Sequence, residues 1–345
     1  MLKTALMIVL AVFFGFFIVI SCEGPEGPTG ADGIDGTDGV DGNVTCFDCH
    51  SDENLEMKRA EFAISQHSSG SIAVAYAGGR GYCSPCHSHE QFVAAAEGLE
   101  AQNVANPSPW ECSTCHGLHN TFEDVDYALR ATSAEWGADG TTFELGNSNL
   151  CAVCHQSRTA EPNIDVPGDT FEITSTHYGP HHGAQANVLA GFGFAEIPGP
   201  IAYPAAGSEM HLAASCTGCH MHEGEHSFNP SLDACNACHS TADFNYGGVQ
   251  TDTHDDLEEL RDLLVAKGVL EQGHEEVYEI DQETGEIELV VTVEGYHPVV
   301  GTYPMILAQA FFNWVGLEED RSLGAHNPKY YNALIKNSIA ALEAL

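Results

Sequence analysis

Twelve of the 13 cysteines in this chain of 345 residues stand in six copies of one pentapeptide, C-x-x-C-H. The copies are Cys46–Cys49–His50, Cys83–Cys86–His87, Cys112–Cys115–His116, Cys151–Cys154–His155, Cys216–Cys219–His220 and Cys235–Cys238–His239. They run through a stretch, from about Thr45 to Phe244, where Gly, Pro and Asn interrupt short helical pieces. Few runs there keep a helix or strand period. Side-chain burial alone does not hold so irregular a region together, and internal staples are required. Six clusters of two thiols and an imidazole can serve as those staples.

The spacing selects the chemistry. Two residues between the cysteines let both thiols reach one porphyrin edge and add to the haem vinyl groups. The adjacent His then offers its imidazole to the iron. Zinc ribbons use C-x-x-C pairs but need no His after every pair. Thioredoxin-like motifs occur singly on a βαβ background, which this sequence lacks. Six covalently bound haem c groups are therefore expected. Their attachment residues are Cys46, Cys49, Cys83, Cys86, Cys112, Cys115, Cys151, Cys154, Cys216, Cys219, Cys235 and Cys238, and their proximal ligands His50, His87, His116, His155, His220 and His239.

Charge narrows the partners. The chain has 11 Lys and Arg against 50 Asp and Glu, a formal net charge of −39. Nucleic acid is excluded as a partner, because phosphate contacts need a basic face. Cations, basic proteins or mineral-bound metal ions suit this surface better.

The remaining cysteine lies at the end of an export signal. Met1, Leu2 and Lys3 precede an apolar run from Ala5 to Ile20, and Val19-Ile20-Ser21-Cys22 resembles a bacterial lipobox. Residues 1–21 are thus expected to be removed and Cys22 lipidated, tethering an exported protein to a membrane in the periplasm or on the cell surface. Glycine then recurs at every third position from Gly24 to Gly42, with Asp32, Asp35, Asp38 and Asp41 in phase. These triplets are collagen-like, but stacked carboxylates favour an extended spacer over 22–44.

The tail reads differently from the body. Thr253 and Asp256 predict a capping box for a helix that buries Leu257, Leu260, Leu263 and Leu264, with Gly268 as its stop. Val277–Ile280 and Ile287–Val293 flank a QETG turn and predict a hairpin. A helix is expected over Met305–Trp314. Asn327 and Pro328 open the last one, whose buried stripe is Leu334, Ile335, Ile339 and Leu342. The expected fold is mainly α with extensive irregular loops: a haem-stapled body over 45–250 and a small helical and hairpin cap over 251–345 that packs back on it.

Beyond the signal the chain has four Met but thirteen His outside the motifs, which favours two histidines on each iron. Several phrases also resemble exported multihaem cytochromes related to ammonia-forming nitrite reductases and octahaem reductases. They are CSTCHGLH (112–119), NLCAVCHQSR (149–158), THYGPHHGAQANVLAGFG (176–193), SEMHLAASCTGCHM (208–221), EHSFNPSLDACNACH (225–239) and DRSLGAHNPKY (320–330). The resemblance implies distal ligands at His67, His119, His177, His211, His226 and His326, with His181 and His182 as alternatives to His177.

Three functions remain open. The chain could pass electrons between a periplasmic or membrane donor and an outside acceptor, through redox partner proteins. It could reduce nitrogen or sulfur oxyanions at one open iron. It could also self-assemble into an extracellular filament. The ammonia-forming reductases mark their open haem with C-x-x-C-K, and this sequence has none. That departure favours the electron carrier, which has no catalytic residues of its own.

Overall fold

A computed structural model describes residues 52–118, 128–162, 170–280 and 287–345. The export signal, Cys22, the spacer, the first motif (Cys46, Cys49, His50), His119 and the QETG turn lie outside the described residues. Those that are described belong to the compact unit 43–345.

The fold is mainly helical, with irregular loops and three small two-stranded sheets. Helix α1 spans Asp52–Ala63 and α2 spans His89–Ala96. Ser88 caps α2 by accepting from the Gln91 N–H at 3.3 Å, the usual service of a serine at a helix start. Three longer helices close the chain: α3 (Val249–Ala266), α4 (Met305–Asp320) and α5 (Pro328–Glu343). Helix α3 begins a turn earlier than Thr253 suggests. Its first-turn donors Gln250 and Thr251 are met by the Asn245 side-chain oxygen at 3.0 and 3.2 Å, across a left-handed turn at Gly247 and Gly248. That cap reaches over several residues, so the capping-box spacing does not reveal it. Helix α5 starts as expected, with Asn327 accepting from the Tyr330 N–H.

The short sheets tie distant segments. Strand β1 (Ala134–Glu135) pairs with β2 (Thr142–Phe143), and β3 (Thr170–Ile173) pairs antiparallel with β6 (Gly301–Pro304). The expected hairpin is longer than its apolar pattern: β4 is Leu270–Ile280 and β5 Ile287–Pro298, with one register shift between Val277 and Tyr278.

Burial is unevenly distributed. The main core joins Leu257, Leu260 and Leu264 of α3, Phe311, Phe312 and Leu317 of α4, and Tyr330, Leu334 and Leu342 of α5. Val188, Phe194 and Ile197 from the middle of the chain complete it. A second core gathers Trp136, Phe143, Leu145, Ala152 and Leu189. By contrast, Ser227 alone is buried from Pro198 to Asp256, the stretch that carries the fifth and sixth motifs. The second core meets the fifth motif only at its edge, through the partly buried Leu212 and Cys216.

Buried amides lock the middle of the chain onto the tail helices. Asn313 accepts from the Ala195 N–H at 2.9 Å and donates to the Ala195 carbonyl at 2.8 Å. Asn337 does the same for Ile201, at 2.9 Å each way. Gly316 permits close approach, since a Cβ there would sit 2.5 Å from the Phe194 ring. Replacing Asn313 with Ala strands a buried N–H and a buried carbonyl. It is expected to cost about 2–4 kcal/mol, read as a lower denaturant midpoint with the haem count unchanged.

Candidate haem-binding site

Each described motif begins on about one helical turn. These turns are Ser84–His87, Cys112–Cys115, Asn149–Ala152, Ser215–His220 and Leu232–Asn236. Two of these turns, Cys112–Cys115 and Ser215–His220, hold both cysteines of their motif, and residues three apart on a helix share a face. The motif His closes the turn by donating its backbone N–H to the first Cys carbonyl: 3.0 Å for His116, 2.9 Å for His155 and 2.8 Å for His239. Local caps set these turns up. Ser231 accepts from the Ala234 N–H, and Glu111 and Thr114 form a reciprocal box.

Opposite each of these five histidines stands a second imidazole. Ring centroids are 6.1 Å apart for His155 and His67, 6.2 Å for His87 and His181, and 6.4 Å for His116 and His226. They are 6.3 Å apart for His220 and His326, and 6.0 Å for His239 and His211. Two imidazoles bound to one metal ion from opposite sides, at bonds of about 2 Å each, have centroids about 6 Å apart. Aromatic rings also meet at such distances without a metal. Here, however, every described motif His is used once, and each partner is a non-motif His.

Tautomer-fixing contacts agree with this arrangement. The Nδ1 atom faces an acceptor in His220 (Phe228 carbonyl, 2.8 Å), His211 (Ala325 carbonyl, 2.8 Å) and His226 (Gly224 carbonyl, 2.8 Å). It does so as well in His155 (Gln185 Oε1, 3.3 Å) and His326 (Asp320 Oδ1, 2.7 Å). An acceptor at Nδ1 keeps the proton there and leaves the Nε2 lone pair for a metal. Burial also pushes His67 and His181 down to about 4, with the nearby His155 and His182 adding to it, so both rings are neutral at ordinary pH. Neutral imidazole is the form that binds metal.

Four of the six histidines that the resemblance offers as distal ligands stand opposite a motif His: His67, His211, His226 and His326. His119 lies outside the described residues. His177 is exposed and meets none of the described motif histidines. His181 faces His87 in its place. The cause is the backbone of the 176–183 turn. The Arg158 N–H donates to the Pro180 carbonyl and Thr159 Oγ1 to the Gly179 carbonyl, both at 2.8 Å, while His181 adopts a left-handed φ of 71°. That turn directs His181 inward. His182 instead meets Glu319 at 3.0 Å and is exposed.

The motifs also touch one another. The Cys86 thiol lies 3.8 Å from the Val153 carbonyl and beside the Cys154 thiol, and the Cys151 thiol lies beside that of Cys216. The fourth motif therefore meets both the second and the fifth. Thr217 and Ser215 strengthen the latter contact, through Ser148 Oγ at 3.0 Å and the Leu145 carbonyl at 3.2 Å. His89 Nδ1, just past the second motif, lies 2.7 Å from Thr114 Oγ1 in the third. None of the ten described motif cysteines forms a disulfide. Closely spaced thiol pairs followed by opposed imidazoles fit covalent haem.

No protein-family model and no curated protein matches this chain. One solved structure does: the outer cell wall cytochrome OcwA, at 16% sequence identity with a TM-score of 0.50. The match covers 83% of this chain and 50% of that one, so this chain corresponds to about half of that cytochrome. At that identity the likeness concerns fold alone: this chain shares the fold of about half of that structure.

Proposed function

We propose that this chain is an exported hexahaem c-type cytochrome that passes electrons between a periplasmic or membrane donor and an extracytoplasmic acceptor. The observation that carries the reading is the set of five His pairs, each joining one motif His to one non-motif His at 6.0–6.4 Å. His50 and His119 lie outside the described residues and are proposed as a proximal and a distal ligand, without a partner assigned to either. In attachment, each thiol adds across a vinyl C=C: sulfur bonds one carbon, hydrogen goes to the other, and no external oxidant is needed. The haem supplies a one-electron iron couple when bound.

The residues of the chain do the rest. The cysteine pairs would attach each haem, the paired imidazoles would ligate its iron, and the acceptors at Nδ1 would orient those imidazoles. The fourth motif, in contact with the second and fifth, forms the centre of the array. Tyr246, 4.2 Å from the His239 ring, and the nearby Phe244 flank the sixth. A reductase needs one open iron face, whereas each described motif His has an imidazole opposite it. Cys22 serves as the lipid anchor and residues 22–44 as the spacer. Among the described residues no helix is long and apolar enough to cross a membrane.

Intact mass of the protein purified from a haem-c-competent host, with pyridine haemochrome absorbance, tests the count. Six haems per chain are expected; fewer would overturn the reading. Imidazole planes give a second test. Three pairs are near perpendicular, at 81°, 81° and 86°, and two are closer to parallel, at 35° and 44°. Perpendicular planes leave two iron d orbitals nearly degenerate and yield strongly anisotropic low-spin signals. Three such signals and two ordinary rhombic ones are expected from these five haems in frozen solution.

A further inference from the structure

Asp320 is the last residue of α4, and its carboxylate is fully buried. Oδ1 lies 2.7 Å from His326 Nδ1, and Oδ2 accepts from the Ser322 hydroxyl. The same Ser322 Oγ accepts from the His326 backbone N–H at 3.3 Å. Between them the chain makes a tight reversal with Arg321, Leu323 and Gly324 at φ 60°, 49° and 90°. Two of these are not glycine, and left-handed backbone costs them free energy. The reversal brings His326 from the end of a core helix to face His220.

This partner differs in kind from the Nδ1 hydrogen-bond acceptors of His220, His211, His226 and His155, although Glu61 Oε2 also lies 4.0 Å from His226 Nδ1. His220, His211 and His226 donate to neutral backbone carbonyls, and His155 to a neutral side-chain amide. His326 donates to a carboxylate. A charged acceptor on the far nitrogen makes an imidazole more basic and a stronger donor to its metal. Stronger donation favours the more highly charged ferric state over the ferrous one.

We infer that Asp320 is a positioning and tuning residue that lowers the reduction potential of the His220–His326 haem. This rests on the hexahaem reading above. It gives the haem at the fifth motif, which contacts the central fourth motif, a bias toward the oxidised state. Electrons then reside on its neighbours and cross it without accumulating there. Ser322 moderates the effect, because its hydroxyl draws charge from the same carboxylate.

Two substitutions of opposite sign test this in the full-length haem-loaded protein. Each is followed by potentiometric titration with EPR at every poised potential. Asp320→Asn keeps the shape and removes the charge. The gap between charged and neutral acceptors predicts about a tenfold rise in the reduced-to-oxidised ratio of one rhombic haem at fixed potential. That equals a shift of about 59 mV for a one-electron couple. Ser322→Ala should move the same haem the other way, by a smaller factor. Asp320→Glu should restore part of the wild-type value. Six low-spin haems with unmoved midpoints in both Asp320→Asn and Ser322→Ala would overturn the tuning role while leaving the hexahaem reading intact. Should Asp320→Asn fail to fold, an unmoved or raised midpoint in Ser322→Ala alone would overturn it. A wild-type protein with fewer haems or an open iron would overturn the hexahaem reading itself.

Discussion

Replacing Cys151 and Cys154 together with serine is expected to remove one haem of the six and to break the array at its centre. The fourth motif touches the second through Cys86, Val153 and Cys154, and the fifth through Cys151 and Cys216. Its own turn carries Ala152, fully buried in the second core. Loss of the attached group should therefore cost stability on the scale of a lost native cross-link, about 2–5 kcal/mol. Serine differs little in size from cysteine and keeps the turn. Intact mass should fall by one haem. Oxidation of the remaining haems by a slow, large acceptor should become biphasic, because the second and sixth motifs no longer share a path. Equal loss after the corresponding double substitution at the peripheral sixth motif, Cys235 and Cys238, would contradict the central placement.

Removing a distal ligand should have the largest spectroscopic effect. His67 faces His155 and is boxed by Trp110 at 5.3 Å and Phe228 at 5.0 Å. His67→Ala is expected to convert one low-spin haem to high-spin while keeping all six attached. The vacated space, walled by two aromatic rings, should admit imidazole from solution and restore the low-spin signal. Carbon monoxide should bind the reduced variant at one haem per chain and the wild type at none. The cavity costs about 2–4 kcal/mol. A variant that stays fully low-spin without added imidazole would show that His67 is not a ligand. His177→Ala, by contrast, should leave every described haem unchanged, since His177 is exposed and faces no described motif His.

Attachment chemistry was legible in the sequence because it is local. Two thiols and an imidazole fit within one turn, so five residues state the whole requirement. The tail helices were legible for a similar reason: Leu257, Leu260 and Leu264, or Leu334, Ile335, Ile339 and Leu342, repeat at the helical period and fill the observed core. The pairing of imidazoles was not legible. His67 meets His155, and His116 meets His226, across long stretches of chain, and no spacing rule links such partners. The choice among His177, His181 and His182 depends on hydrogen bonds from Arg158 and Thr159 to the carbonyls of Pro180 and Gly179, which are tertiary contacts. Asp320 escaped sequence reading too. Its signal is an acidic residue shortly before the His of G-A-H-N-P, and it gains meaning only once the reversal at Arg321–Gly324 folds it onto that ring. The start of α3 was missed because Asn245 caps it from outside the usual positions.

Electrostatics shape what the array can meet. A net charge of −39 favours, on electrostatic grounds alone, cationic over anionic partners at low ionic strength. Association with a cationic redox partner should therefore weaken as salt rises, since screening at 0.1 M acts over about 10 Å.

Low-temperature EPR of the fully oxidised, purified protein, combined with its haem count, tests the central claim most directly. Six haems per chain, all low-spin and with three strongly anisotropic signals among them, are predicted by the six motifs and the five opposed imidazole pairs. A high-spin signal that shifts on adding nitrite or hydroxylamine would contradict it, and would make this chain an enzyme with an open iron.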